Sequence, residues 1–365
     1  MEITRREGLK AAAAAVAAAS LASGATTGKS NELGLPRRTP NAGKGIKFAI
    51  MNGSRPEHVT RISKQIGINY AIASSPLYRL QKAEYEGALA RMKADFAEVG
   101  VTVSGVESHP VAAEKIKLGV AGRDEEIENY VGAIKALGNV GIPVLCYNFM
   151  AGLGWYRTKL NGLGRGGALI TDFDNEAAKA QGLTQWGEIH EDKLWENITY
   201  FLKAVIPEAQ KAGVQMALHP DDPPLSPLRG IGRIVTSAAN YRRIMDIVPS
   251  PVNGVTFCQA NFIAMGEDCV ALVKEWRKKI FFVHFRDIAG TRDHFRETFH
   301  DEGQTDMVKM LKTYHEVGFT GPMRPDHAPT LDEETNDRPG YAIQGKIFAL
   351  GYMKGVMQGL GLPYA

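Results

Sequence analysis

Eight short β-forming runs, each followed by a stretch of helical length, leave this chain few architectures. The spacing predicts strands at Ile46–Met51, Tyr70–Ala73, Thr102–Val106, Val144–Asn148, Gln215–Leu218, Gly254–Phe257, Ile280–Val283 and Pro322–Arg324. Between them lie helical patterns, the clearest being an apolar stripe of Leu194, Ile198, Phe201, Leu202, Val205 and Ile206. Further helices are expected from Asp124 to Leu137 and from Val308 to Val317, the latter stopped by Gly318. Strands that alternate with helices pair in parallel through βαβ units. Eight units over about 310 residues predict an α/β protein of the (β/α)8 TIM-barrel type in one domain, residues 45–362. A doubly wound open sheet is the competing architecture, but no Gly-x-Gly-x-x-Gly follows the first run. The stretch from Ala151 to Asp192 reads as an inserted βα loop, and no internal repeat is visible.

Ahead of the barrel, Thr-Arg-Arg-Glu-Gly-Leu-Lys (residues 4–10) precedes an Ala-rich run from Ala11 to Ala22 and the small residues Ser23-Gly24-Ala25. A basic segment, a modest apolar stretch and small residues predict a signal peptide over 1–25, with a flexible tether over 26–44. Arg5 and Arg6 suggest the twin-arginine route and a periplasmic destination, although Gly8 stands where such signals carry a large apolar residue. The plainer alternative is an Ala-rich N-terminal helix of a cytoplasmic protein. The 43 basic and 40 acidic residues give a net charge of +3, which offers no nucleic-acid signature. No run in the body is long and apolar enough for an integral-membrane span. A homo-oligomer stays open. Cys146, Cys258 and Cys269 are too few for a disulfide framework, and the odd number invites another use for a thiol.

In a (β/α)8 barrel the working face lies at the C-terminal ends of the strands. Strands five to eight are followed there by His219, Cys258, His284 and Asp326. Two imidazoles, a thiolate and a carboxylate can hold one divalent transition ion and leave room for substrate. Singly, each has a plainer role: Cys258 as a small buried hydrophobe, the histidines as hydrogen-bonded structural groups, Asp326 as the cap of the last helix. Their placement at four successive strand ends favours the shared site. Cys146, in a strand, and Cys269, in a helix, are expected to pack. His219 opens His-Pro-Asp-Asp-Pro-Pro, a stiff loop in which Asp221 and Asp222 either orient ligands or make turns. Arg229, Arg233 or Arg286 can pair a substrate carboxylate. His327 and Tyr341 are candidates for proton transfer beside the metal.

At this point the chain resembles the mannonate dehydratase family. The similar segments are Val106-Glu107-Ser108, Cys146-Tyr147-Asn148-Phe149-Met150 with Trp155 and Arg157-Thr158, and Ala217-Leu218-His219-Pro220-Asp221-Asp222-Pro223-Pro224. They continue with Phe299-His300 leading to Asp306-Met307, Met323-Arg324-Pro325-Asp326-His327 and Pro339-Gly340-Tyr341, in the family's order over about residues 100–358. The resemblance implies a xylose-isomerase-like barrel and Mn2+ held by His219, Cys258, His284 and Asp326. Fe2+ or another divalent ion also suits a set that contains a thiolate. It further implies a hydro-lyase that converts D-mannonate to 2-keto-3-deoxy-D-gluconate in hexuronate breakdown, with His327 and Tyr341 as its acid/base groups beside Asp326. Asn148, Trp155, Arg157 and His300, which fall in the shared segments, are the expected substrate contacts together with Arg286.

Three departures stand against that match. The family's His-His-Ile-Pro-Asn-Gly-like string after the second strand is replaced by Ala73-Ser74-Ser75-Pro76-Leu77-Tyr78. Its Cys-x-Gly is here Cys258-Gln259-Ala260, and the loop after strand four looks shorter than in many members. Export is also unusual for uronate catabolism. A sugar isomerase or epimerase of the same barrel superfamily, or an exported sugar-acid binder without turnover, is the alternative.

Overall fold

The computed structural model describes residues 44–365. The expected signal peptide and all but the end of the tether lie outside the described residues. Eight parallel strands close into a barrel: β1 (Lys47–Asn52), β2 (Tyr70–Ser74), β3 (Thr102–Glu107), β4 (Val144–Tyr147), β7 (Gln215–Leu218), β8 (Asn253–Cys258), β9 (Ile280–His284) and β12 (Pro322–Arg324), with β12 pairing back onto β1. All eight runs expected from the sequence are barrel strands. Register across neighbouring strands matters for the chemistry: Cys258 stands opposite His284, His284 opposite Arg324, and Glu107 opposite Cys146. These side chains therefore enter the C-terminal mouth at similar heights.

The helices are α1 (His58–Gln65), α2 (Tyr85–Glu98), α3 (Glu114–Leu118), α4 (Arg123–Asn139), α5 (Asn175–Ala180), α6 (Glu191–Ala212), α7 (Ala238–Ile247), α8 (Gln259–Ala264), α9 (Cys269–Glu275), α10 (Met307–Glu316) and α11 (Ile343–Gly359). The six stripe residues of α6 are buried against the strands, as a helical period of apolar residues requires. Gly318 ends α10 in the left-handed region at φ +74°, where a side chain would be strained. Inside the barrel a separate small cluster of Ala49, Ile72, Val144, Cys146, Ala217, Phe281 and Phe282 fills the lower layers, so the barrel is plugged below the mouth.

The segment from Ala151 to Asp192 is more than a loop. It contains β5 (Lys159–Leu163), β6 (Leu169–Asp174) and α5, and it joins the hairpin β10 (Ile288–Thr291)–β11 (His294–Glu297) in a four-stranded antiparallel sheet ordered β10-β11-β6-β5. The pair that unites the two halves, Arg296 opposite Asp172, joins segments more than a hundred residues apart, so no local period announces it. Gly290 allows the hairpin: its φ is +125°, and a Cβ there would come within 2.2 Å of the His294 carbonyl oxygen. Among the described residues no helix is long and apolar enough to cross a membrane.

Candidate metal centre and active site

β7, β8, β9 and β12 deliver His219, Cys258, His284 and Asp326 to one point, with one ligand atom from each lying within 4.8 Å of the others. Cys258, His284 and Asp326 are buried, and His219 is half-buried. The two imidazoles face each other, His219 Nε2 lying 3.1 Å from His284 Nδ1. Each outer nitrogen faces an oxygen. His219 Nδ1 lies 2.7 Å from the Pro220 carbonyl oxygen, and His284 Nε2 lies 3.3 Å from a Glu107 carboxylate oxygen. Protons on the outer nitrogens leave two lone pairs converging on one spot, the arrangement that holds a metal-binding histidine in its tautomer.

Charge tells the same story. Burial opposes the Cys258 thiolate, yet Arg286, His219 and His284 bring the thiol down to about 6. Burial and Arg324 oppose an imidazolium at His284, but Asp326 and Glu107 raise it to about 10. This spot therefore draws positive charge. Burial also opposes the Asp326 carboxylate, but His327, His284 and Arg324 hold it well below the usual range. Its Oδ2 accepts from Arg286 Nε at 2.7 Å, and its Oδ1 lies 2.8 Å from Arg324. Asp326 does not cap the last helix, whose N-cap is Ala342. A thiolate, two neutral imidazoles and a carboxylate in this arrangement fit a divalent transition ion.

His327 and Tyr341 stand beside the cluster. His327 Nε2 lies 3.2 Å from the Tyr341 hydroxyl, and its Nδ1 lies 2.8 Å from Glu297 Oε1. The Trp155 ring packs edge-on to His327 with centroids 5.2 Å apart. Both proton-handling candidates, all four ligand candidates except Cys258, and Asn148 and Trp155 line one cavity of about 480 Å3, within the ordinary range for a small-molecule site. Its outer wall is Glu114, Lys117, Gln185 and Trp186.

The other expected substrate contacts do not line this cavity. Arg157 and Arg286 are buried behind it, tied to carboxylates: Arg157 to Asp222 and Glu297, and Arg286 to Asp222 and Asp326. His300 is fully buried, and burial pushes its imidazole down to about 4. Arg233 is buried near Asp221 at 3.7 Å, and Arg229 donates to the carbonyls of Gln181 and Gly182. Asp221 accepts from the Val235 N–H, while Asp222 accepts from Arg157 and Arg286 and also borders the cavity. Cys146 packs in β4 and accepts from Thr256, although it also borders the cavity. Cys269 is buried at the start of α9.

Two of the departures have local explanations. The segment in place of the histidine string does not line the cavity. Instead Ser75 donates to the Pro110 carbonyl at 2.6 Å and Tyr78 to the His109 carbonyl at 2.8 Å. Those bonds brace the connection from β3 to α3, which presents Glu114 and Lys117 to the cavity. Ala260 lies in α8 with no positive φ, so the lost glycine costs nothing there. Glu107, Lys117, Glu297 and Arg324 join the site with no expectation from the sequence. Glu297 sits at the end of the unforeseen hairpin, whereas Glu107 and Arg324 ended predicted strands or lay beside them, where the strand-end rule was able to find them.

A model of the D-mannonate dehydratase family matches residues 57–186 and 178–362. Mannonate dehydratase 2 of Halalkalibacterium halodurans is 36% identical over 297 residues, which is 73% of this chain and 85% of that protein. The mannonate dehydratase of Streptococcus agalactiae is 34% identical over 331 residues, 83% of this chain and 93% of that protein. The crystal structure of mannonate dehydratase from Streptococcus suis superposes with a TM-score of 0.75 at 28% identity, covering 88% of this chain and 97% of that one. By its sequence, its barrel and its relatives, the chain belongs to the D-mannonate dehydratase family.

Proposed function

We propose that this chain dehydrates D-mannonate to 2-keto-3-deoxy-D-gluconate and water with a bound divalent ion, Mn2+ in the first instance. The observation that carries this reading is the convergence of His219, Cys258, His284 and Asp326 on one point, beside the cavity that the His327–Tyr341 pair lines. When bound, the ion would supply Lewis-acid stabilisation of negative charge next to the substrate carboxylate, which the weakly acidic C2 proton needs. The protein's own groups handle the protons. His327, with Nδ1–H held by Glu297, presents Nε2 to take the C2 proton, and Tyr341 gives its proton to the departing C3 hydroxyl, which leaves as water. The 3.2 Å contact then returns the proton from His327 to the Tyr341 oxygen, restoring both groups as the enol product ketonises. An isomerase reading has no departing hydroxyl, so release of a keto-deoxy product separates the two reactions.

Reconstituted with Mn2+ and offered D-mannonate and a panel of other aldonic acids, the protein is expected to release a 2-keto-3-deoxy product from D-mannonate. Product from a different acid would keep the mechanism and change the substrate. Metal binding without product from any of them would contradict the reading. We also propose periplasmic export, on the strength of the basic, apolar and small-residue order at the N-terminus. Residues 1–43 fused to a folded reporter should send it to the periplasm, and Arg5→Lys with Arg6→Lys should stop it. A reporter that stays cytoplasmic would refute export.

A further inference from the structure

We propose that Glu297, which ends the hairpin strand β11 outside the barrel, is a positioning residue that fixes the tautomer and aim of His327. The inference rests on the functional reading above for what His327 does, but its geometry stands independently. An ionised carboxylate only accepts hydrogen bonds. Glu297 lies 2.5 Å from the Arg157 guanidinium and 3.5 Å from that of Arg286, two fixed cations that keep its carboxylate an acceptor. With Nδ1 at 2.8 Å from such an acceptor, the ring proton of neutral His327 must sit on Nδ1. Nε2 is then the lone-pair nitrogen, and it is the nitrogen that faces Tyr341.

Glu297 is itself immobilised. Its Oε1 takes a 2.5 Å bond from Arg157 NH2, and Arg157 grips Asp222 with NH1 at 2.5 Å and NH2 at 3.2 Å. Asp222 belongs to the stiff loop that begins at the ligand candidate His219. Arg157 also lies 4.9 Å from the Trp155 ring, and that ring packs on His327. The chain of contacts therefore runs from the outer sheet through Glu297 and Arg157 to both sides of the imidazole. A barrel alone does not specify which His327 nitrogen carries the proton; the added sheet does.

The test uses metal-loaded protein with 15N-labelled histidine and diamagnetic Zn2+, with His327 assigned by the resonance lost in His327→Asn. In the wild type, His327 should show a protonated Nδ1 and an unprotonated Nε2. Glu297→Met, close in volume but without an acceptor, should populate both tautomers. With Mn2+ it should lose about 100-fold or more in kcat with little change in KM and undiminished metal content. Glu297→Gln restores an accepting oxygen, and should recover at least about tenfold of that loss and return the Nδ1–H tautomer. A protonated Nε2 in the wild type overturns the assignment without recourse to any variant, as does a Glu297→Met protein with wild-type kcat. A wild type silent on every aldonic acid would fault the substrate reading, and the ring resonances would still decide the role of Glu297.

Discussion

Three arginines, Arg157, Arg286 and Arg324, share the buried mouth with four carboxylates, Glu107, Asp222, Glu297 and Asp326, and with the Cys258 thiolate. With neutral histidines this group carries an excess of two negative charges, the number that a divalent ion cancels. Each ligand supplies one of only four donor atoms, so removing one should weaken the hold on the ion sharply. Cys258→Ala or His284→Ala is expected to lower metal content by more than about tenfold by elemental analysis, with helical content near wild type. His327→Asn should keep the metal and lose about 100-fold or more in kcat. Full metal in either ligand variant would mean the ion is held elsewhere. These four side chains were legible in the sequence because each is the first metal-competent group at the end of a recognisable strand. The second partners of their rings, the Pro220 carbonyl and Glu107, were not, because ring orientation is set by neighbours on other strands.

At the level of elements, parallel strands announce themselves locally, by an apolar run followed by a helical period, and all eight were read to within a few residues. The outer sheet did not. β5 contains Gly162 and is exposed along most of its length, β10 and β11 are four residues each, and their partners are remote in sequence. His327, the proposed base, is tied to that sheet through Glu297. Gly290→Val should therefore be felt in catalysis before it is felt in the barrel. The new Cβ would strike the His294 carbonyl and strain a backbone at φ +125°. The expected result is a clear fall in kcat with metal content and far-UV circular dichroism close to wild type. Unchanged turnover would show that the hairpin does not set the position of His327.

For the whole molecule, closing the barrel buries charges that are useful in the mouth and one that is a burden. Lys346, in the first turn of α11, is buried with its ammonium 4.7 Å from the Tyr341 ring. Burial, together with Arg324 and Arg338, brings it down to about 7, against the attraction of Asp326 and Glu107. The unfolded side chain titrates near 10.5, so between pH 7 and 10.5 the unfolded chain holds more proton and this group's contribution to stability climbs with pH. Below pH 7 its penalty is present in full. Lys346→Met should consequently raise the melting temperature most at pH 6, with a gain that shrinks as the pH is raised towards 10; a gain independent of pH would contradict this. Fold class was legible at this scale because the count of strand–helix units dictates it, whereas one lysine in a helix that also carries Lys354 gives no sign that it is the buried one.

We propose that one divalent ion at His219, Cys258, His284 and Asp326 turns this barrel into a sugar-acid dehydratase. The most direct measurement is to strip the purified protein of metal, titrate Mn2+ back, and follow both bound ion and keto-deoxy product from D-mannonate in the same samples. Product formation should rise in step with occupancy and saturate at one ion per chain, and Cys258→Ala should show neither. Product formed by the stripped protein, or an ion bound at full occupancy by Cys258→Ala, would contradict it.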